Sequence, residues 1–314
     1  MIDVVAAVVI DWIIGDPYWF PHPVIYIGKL IKFLDGIGRK FCKTSKTLKI
    51  FGGIIVLIVA FIAFIIPWIL LYITREIKWL HHVINILLIW TTLAAKCLHK
   101  EGKKVYFSLR NNDIEDARLK LSYIVGRETD KLTTSEVIRA DIETVAENTS
   151  DGVIAPLLFA MIGGAPLAML YKGINTMDSM LGYMNEKYRY IGFFPAKTDD
   201  AFNFIPARIT GLLIALSAPV VKGNIFKSMK IMVRDRKNHK SPNCGYPEAA
   251  AAGALSVQLG GTNTYFGEAV YKPTLGDKIR ELQYEHINDT IKLMYASEVV
   301  LLIFYLLIGL KLYV

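Results

Sequence analysis

The chain has 314 residues, 53% of them hydrophobic, and a net charge of +8. That composition excludes an ordinary soluble domain and a disordered chain. The basic excess sits in clusters without interleaved aromatics, which argues against a nucleic-acid-binding surface.

In chain order, the first apolar run is Val4–Ile14. The segment MIDVVAAVV lacks a basic n-region, and Asp3 and Asp11 interrupt the run, so it reads as a retained helix rather than a cleaved signal. Lys29, Lys32, Arg39, Lys40, Lys43, Lys46 and Lys49 then crowd the approach to IIVLIVAFIAFIIPWILLYI (Ile54–Ile73), which is charge-free. About 20 such residues match the thickness of a bilayer, and the basic approach marks a cytoplasmic loop. Leu80–Leu98 is a weaker candidate span.

Residues 99–150 form a polar, helix-rich stretch. Asp113–Val125 is amphipathic, with Gly126 placed to end it. A second helix starts at Thr133, where Thr133 and Glu136 make a capping box. Ile138, Ile142 and Val145 share one face of this helix, and Glu136, Glu143, Glu147 and Asp151 share the opposite one. For Glu136 and Glu143 that face reads as solvated. Glu147, Asn148 and Asp151 differ, because the chain next enters an apolar run where an uncompensated carboxylate is costly.

That run, Val153–Tyr171, contains Pro156, Gly163-Gly164 and Pro166, which predicts a broken or re-entrant segment. Its two polar ends would then meet at one cytoplasm-facing cleft. Lys172, Asn175, Asp178, Ser179, Lys197, Asp199, Asp200, Asn203 and Arg208 follow it. Asn175 with Asp178, and Asp200 with Asn203, are spaced to share a helix face. Clustered carboxylates and amides suit Mg2+, and Lys172, Lys197 and Arg208 suit phosphate.

Phe204–Val221 is a further candidate span, followed by a second basic cluster from Lys222 to Lys240. SPNCGYPEAAAAGAL places Asn243 in a turn and Glu248 at the opening of an alanine-rich helix. LGGTNTYFGE reads as a loop in which Gly260-Gly261 allows close backbone approach and Asn263 offers a contact. Val299–Leu310 is a second strong span. Cys42, Cys97 and Cys244 lie far apart and read as packing residues, not as a disulfide or zinc framework. There is no P-loop and no Rossmann glycine motif. The expected fold is an all-α polytopic membrane protein with about four to six membrane helices. It would comprise N-terminal membrane helices over 1–98, a cytoplasm-facing helical segment over 99–150, and membrane helices carrying the main polar motifs over 151–314, integrated in one domain.

A family resemblance is carried by GDPYWFPHPVIYIGKLI, ENTSDGVIAPLLFAMIGGAPLAMLYKGINTMDSMLGY, DDAFNFIPARIT and SPNCGYPEAAAAGALSVQLGGTNTYFGE. Together the chain resembles the adenosylcobinamide-phosphate synthases of cobalamin biosynthesis, the CbiB/CobD family. Met184, Cys244 and Lys197 depart from the usual pattern of these blocks. The resemblance implies an acid–amine ligase in the cell membrane, with its active site facing the cytoplasm. It would join adenosylcobyric acid to aminopropanol phosphate or ethanolamine phosphate, with ATP as co-substrate and Mg2+ as cofactor. Other late-pathway corrinoid enzymes and membrane lipid are the implied partners, and nucleic acid is not among them. Under it, Glu147, Asp151, Asp178 and Asp200 are catalytic, and Glu147, Asp151, Asp199 and Asp200 hold the metal. Asn148, Lys172, Asn175, Ser179, Lys197, Asn203, Arg208, Asn243, Glu248 and Asn263 bind substrate or phosphate. The residue types alone also admit a Mg2+-dependent membrane prenyl- or phosphotransferase, or a non-catalytic transporter or sensor.

Overall fold

A computed structural model describes residues 1–17, 19–265 and 268–313, with side chains except at 263–270 and 312–313. The described helices run in chain order as α1 (Ile2–Ile13), α2 (Pro23–Phe41), α3 (Ser45–Thr74), α4 (Lys78–Trp90), α5 (Ala95–Arg110), α6 (Ile114–Ser122) and α7 (Thr134–Asn148). After a π-helical turn at Thr149–Ile154 come α8 (Ala155–Leu181), α9 (Phe193–Phe202), α10 (Phe204–Ser217), α11 (Ile225–Asp235), α12 (Gly245–Leu255) and α13 (Glu285–Tyr313). Among the described residues one hairpin, β1 (Leu259–Tyr265) and β2 (Glu268–Leu275), interrupts the helices. Among the described residues, five segments are long and apolar enough to cross a membrane: Ser45–Thr74, Lys78–Arg110, Thr134–Leu181, Phe204–Val221 and Glu285–Lys311. The all-α polytopic expectation therefore holds. The run expected at Val4–Ile14 gives only the 12 residues of α1, too short to span.

The chain packs as two compact units, each assembled from two stretches: 1–94 with 155–203, and 95–154 with 204–314.

In the first unit, α3 is the long apolar helix. Thr44 and Thr47 cap its start reciprocally, which satisfies donors that a helix end leaves open. Its inner face, Ile55, Val59 and Ala63, joins Ile27, Ile31 and Leu34 of α2 and Met169, Ile174 and Met177 of α8 in one core. Leu57 and Phe61 on its other face are 72% and 64% exposed, as a lipid-facing surface requires. His22 in the proline-flanked FPHPV segment caps α2, its Nδ1 accepting the Val24 N–H at 3.3 Å.

The expected break falls inside α8, at Gly163 (φ −144°) and Gly164 (φ 64°, ψ −156°). Gly164 adopts a backbone that side chains disfavour, and Pro166 then opens the second half, where its missing N–H costs nothing. The freed Ala165 N–H donates to Asn85 Oδ1 at 3.0 Å, and Asn85 Nδ2 donates in turn to Asp3 Oδ2 at 2.7 Å. An interrupted helix in an apolar setting persists only where such partners exist.

In the second unit, α12 is buried along its length, with Ala249, Ala250, Ala251 and Ala252 fully covered. These small side chains let α10 and α11 pack closely on it. The hairpin corrects the reading of LGGTNTYFGE as a loop. Gly261 pairs with Lys272 and Thr262 with Tyr271, after an irregularity between Leu259 and Gly261. Two glycines mask the strand signal of this segment. The amphipathic helix expected to run to Gly126 ends earlier, with α6 closing at Ser122.

Candidate functional site

Helix α7 begins at the predicted capping box, Glu136 accepting from the Thr133 N–H at 2.8 Å. From there Arg139, Glu143, Glu147 and Asp151 recur at four-residue steps toward the π-helical turn. Pro156 gives that turn a physical cause, since it lacks an N–H and its ring crowds the preceding turn.

The structure corrects the reading of Glu143 as solvated: it is 3% exposed. Arg127 Nη2 donates to its Oε2 at 2.6 Å, the Gly260 N–H donates to its Oε1 at 2.8 Å, and Arg139 Nε lies 3.9 Å away. A helical wheel shows which residues share a face but not what folds over it. Here the cover is the loop bearing Arg127 and the start of β1. Glu143 is thus a structural tie between α7 and the hairpin.

One turn further along, Glu147 Oε1 accepts from the Cys244 thiol at 3.1 Å. This contact joins the ENTSD and SPNCGYPE blocks, 97 residues apart in sequence. It also corrects Cys244 from a packing residue to a partner of the site. Burial pushes the Cys244 thiol well above its usual range, and Glu147, Asp151 and Glu248 add to the effect, which keeps it a neutral donor. In the same segment Arg208 Nη1 donates to Asn243 Oδ1 at 3.4 Å, and the Arg208 guanidinium lies over the Tyr246 ring at 4.4 Å.

Glu248, 2% exposed, lies 3.7 Å from His239 Nε2, whose ring nitrogen is also 3.3 Å from Lys272 Nζ. Ser241 N–H donates to His239 Nδ1 at 3.0 Å. Burial and then Lys272 lower the His239 pKa, with Glu147 and Glu143 opposing. Burial raises the Glu248 carboxyl well above its usual range, and Glu143 and Glu147 raise it further. The folded state therefore holds a proton on Glu248 after the unfolded chain has lost it. Stability from this group is full below about pH 4.5 and falls as pH rises toward the elevated folded value. Glu248→Gln should remove that fall, so its melting temperature should gain on the native protein's between about pH 5 and 8. Parallel melting curves across this range would contradict the buried, protonated state.

The other predicted residues form a cluster within the first unit. Tyr171 Oη donates to Asn203 Oδ1 at 2.8 Å, and Asn203 Nδ2 donates to Asp199 Oδ2 at 3.0 Å. Asn175 Nδ2 reaches Asp199 Oδ1 at 3.4 Å. Asn203 thus pairs with Asp199, four residues before it. Asp200 accepts from Lys197 Nζ at 2.9 Å near the surface. Ser179 donates back to the Asn175 carbonyl, and the Asp178 carboxylate folds over Gly182. Lys172 lies half-buried on α8. Asn148 donates back to the Thr144 carbonyl at 2.9 Å, which spends its amide on its own helix. Asn263 lies in β1, but its side chain is outside the described residues.

The predicted residues therefore gather into two sets. Glu147, Asn148, Asp151, Arg208, Asn243 and Glu248 belong to the second unit. Lys172, Asn175, Asp178, Ser179, Lys197, Asp199, Asp200 and Asn203 belong to the first. Among the described residues no group of three or more His, Cys, Asp or Glu side chains is arranged to hold a metal alone. Mg2+ needs less from a protein, one or two carboxylates with substrate phosphate and water completing the shell. Glu147 and Asp151, one helical turn apart beside Cys244, fit that requirement. Both described oxygens of Asp199 already accept amide hydrogen bonds. Sequence reasoning missed Arg127, His239 and Lys272, none of which has motif spacing to reveal it.

A family model described as CobD/Cbib protein matches residues 4–294. The chain is 66% identical over 307 residues to the cobalamin biosynthesis protein CobD of Clostridium tetani, covering 98% of this chain and 97% of that one. It is 67% identical over 308 residues to the CobD of Clostridium acetobutylicum, covering 98% of each. Against the cobalamin biosynthesis protein CbiB of Salmonella typhi it is 46% identical over 290 residues, covering 92% and 91%. No solved structure matches.

Proposed function

This chain belongs to the CobD/CbiB family of cobalamin biosynthesis proteins, and from that premise we propose that it is an amide-forming ligase of the pathway. The reaction joins a carboxylate of adenosylcobyric acid to the amine of aminopropanol phosphate or ethanolamine phosphate. The observation that supports this most is the Cys244–Glu147 contact at 3.1 Å. It brings Glu147 of α7, four residues before Asp151 in the π-helical turn, to the segment that carries Asn243 and Glu248.

A carboxylate is a poor electrophile until it is activated. In the proposed sequence a corrinoid carboxylate oxygen attacks the γ-phosphorus of ATP and ADP departs. The amine nitrogen then attacks the acyl carbon, inorganic phosphate leaves, and the proton shed by nitrogen passes to a carboxylate base. Glu147 and Asp151 would hold Mg2+, which when bound supplies charge neutralisation for the phosphates. Arg208 suits a phosphoryl oxygen, its guanidinium oriented by Asn243 and Tyr246. Lys172 and Lys197 are further phosphate partners in this proposal. Asp178, Asp199 and Asp200 remain proposed for metal or amine deprotonation. Asn148, Asn175, Ser179, Asn203, Glu248 and Asn263 are proposed to orient substrate. The cytoplasm, where ATP is found, is the proposed face of the site.

The test incubates detergent-purified protein with adenosylcobyric acid, aminopropanol phosphate, ATP and Mg2+, and follows the amidated corrinoid by mass spectrometry. The expected product needs all four components. Product formed without ATP, or none from folded protein with either amino-alcohol phosphate, would reject the ligase reading.

A further inference from the structure

We propose that the second unit carries a separate phosphate-binding pocket, built from Arg139, Lys278, Arg280 and the Gly260–Gly261 pair at the start of β1. These residues and Ser135 line a cavity of about 220 Å3. Arg139, Lys278 and Arg280 face it; Lys278 pairs with Glu281 at 3.1 Å and Arg139 Nε lies 3.9 Å from Glu143, which leaves the lining with a net positive charge. That charge balance recruits an anion. Ser135 lies in the first turn of α7, where the helix dipole is positive and favours the same charge.

The backbone is shaped to the same end. Gly260 and Gly261 both have positive φ, +81° and +94°. A Cβ on Gly261 would stand 2.8 Å from Arg139 Nη1, so glycine lets the guanidinium come close to the strand. Arg139 is held there by donating to the Thr262 carbonyl at 3.0 Å. Such a fixed guanidinium suits the oxygens of a phosphate.

Size narrows the ligand. The cavity is below the roughly 300–1,000 Å3 of pockets that enclose drug-sized molecules, and among the described residues no aromatic side chain lines it to stack a base. It therefore takes a phosphoryl group, either that of a small phosphorylated amine or part of a triphosphate tail. Arg139 precedes Glu147 by two helical turns, about 12 Å along α7, so this is a second anion position on the same face of the helix. That the phosphate belongs to a substrate rests on the ligase reading; the pocket itself does not.

The test is isothermal titration calorimetry of the full-length protein in detergent with inorganic phosphate, aminopropanol phosphate and Mg2+-free ATP in turn. The Lys278→Gln/Arg280→Gln double variant should bind inorganic phosphate at least about 10-fold more weakly, with its melting temperature unchanged. Arg280→Lys should recover part of the loss. The substrate whose affinity falls in the double variant is the one that uses the pocket. Unchanged phosphate affinity in the folded double variant, or no saturable binding by the native protein, would overturn the proposal. Loss confined to inorganic phosphate would overturn its link to a substrate. Intact phosphate binding beside absent condensation would instead count against the ligase reading alone.

Discussion

Glu147→Gln and Asp151→Asn should each lower condensation by about 10²–10⁴-fold, the range removed with a catalytic carboxylate, while leaving the fold intact. Each change keeps the shape of the side chain and discards its charge. The amide carbonyl introduced by Glu147→Gln can still accept from the Cys244 thiol, so the contact at 3.1 Å has a replacement. The loss should fall on kcat, because the carboxylates act on charge that moves during phosphoryl transfer. Asp200→Asn is the companion measurement, since Asp200 is engaged with Lys197 at 2.9 Å near the surface. Near-normal turnover in both folded Asp151→Asn and Asp200→Asn would remove the proposed metal role of these aspartates.

The largest effect on stability should come from Arg127. Its side chain is 7% exposed and that of Glu143 is 4% exposed. Their 2.6 Å contact sits where water cannot replace either partner. Arg127→Met strands a buried carboxylate, which costs about 3–5 kcal/mol. The Gly260 N–H on the same carboxylate offsets part of that cost. Thermal unfolding in detergent should show a large drop in Arg127→Met and substantial recovery in Arg127→Met/Glu143→Gln, which removes the stranded charge. A single variant that melts with the native protein would mean that this pair does not hold the loop bearing Arg127 to α7.

The sequence made some of this legible because certain requirements are local. A charge-free run such as Ile54–Ile73 has few stable alternatives to a long helix, and α3 follows. Paired glycines beside a proline break a helix wherever they occur, and α8 breaks at Gly163-Gly164. The capping box at Thr133 is a local hydrogen-bond pattern and formed as written. What stayed hidden depends on distant partners. Asn85 accepts the N–H freed at Ala165, 80 positions away, with no pattern linking the two. Glu143 looked solvated because Arg127 and Gly260 arrive from elsewhere to cover it. His239 stood inside a basic run that reads as a topology signal, yet it meets Glu248 and Lys272 in a buried group. The candidate carboxylates Glu147 and Asp151 were marked by their place at the edge of an apolar segment. Their thiol neighbour, Cys244, was not.

The most direct test of the central claim measures amide and ADP together, in one reaction of the purified protein with adenosylcobyric acid, aminopropanol phosphate, Mg2+ and ATP. Activation of a carboxylate by phosphoryl transfer predicts one ADP released for each amidated corrinoid formed, with both signals lost in Glu147→Gln. Amide formed without ADP, or ADP released at an unchanged rate when the corrinoid is omitted, would contradict it.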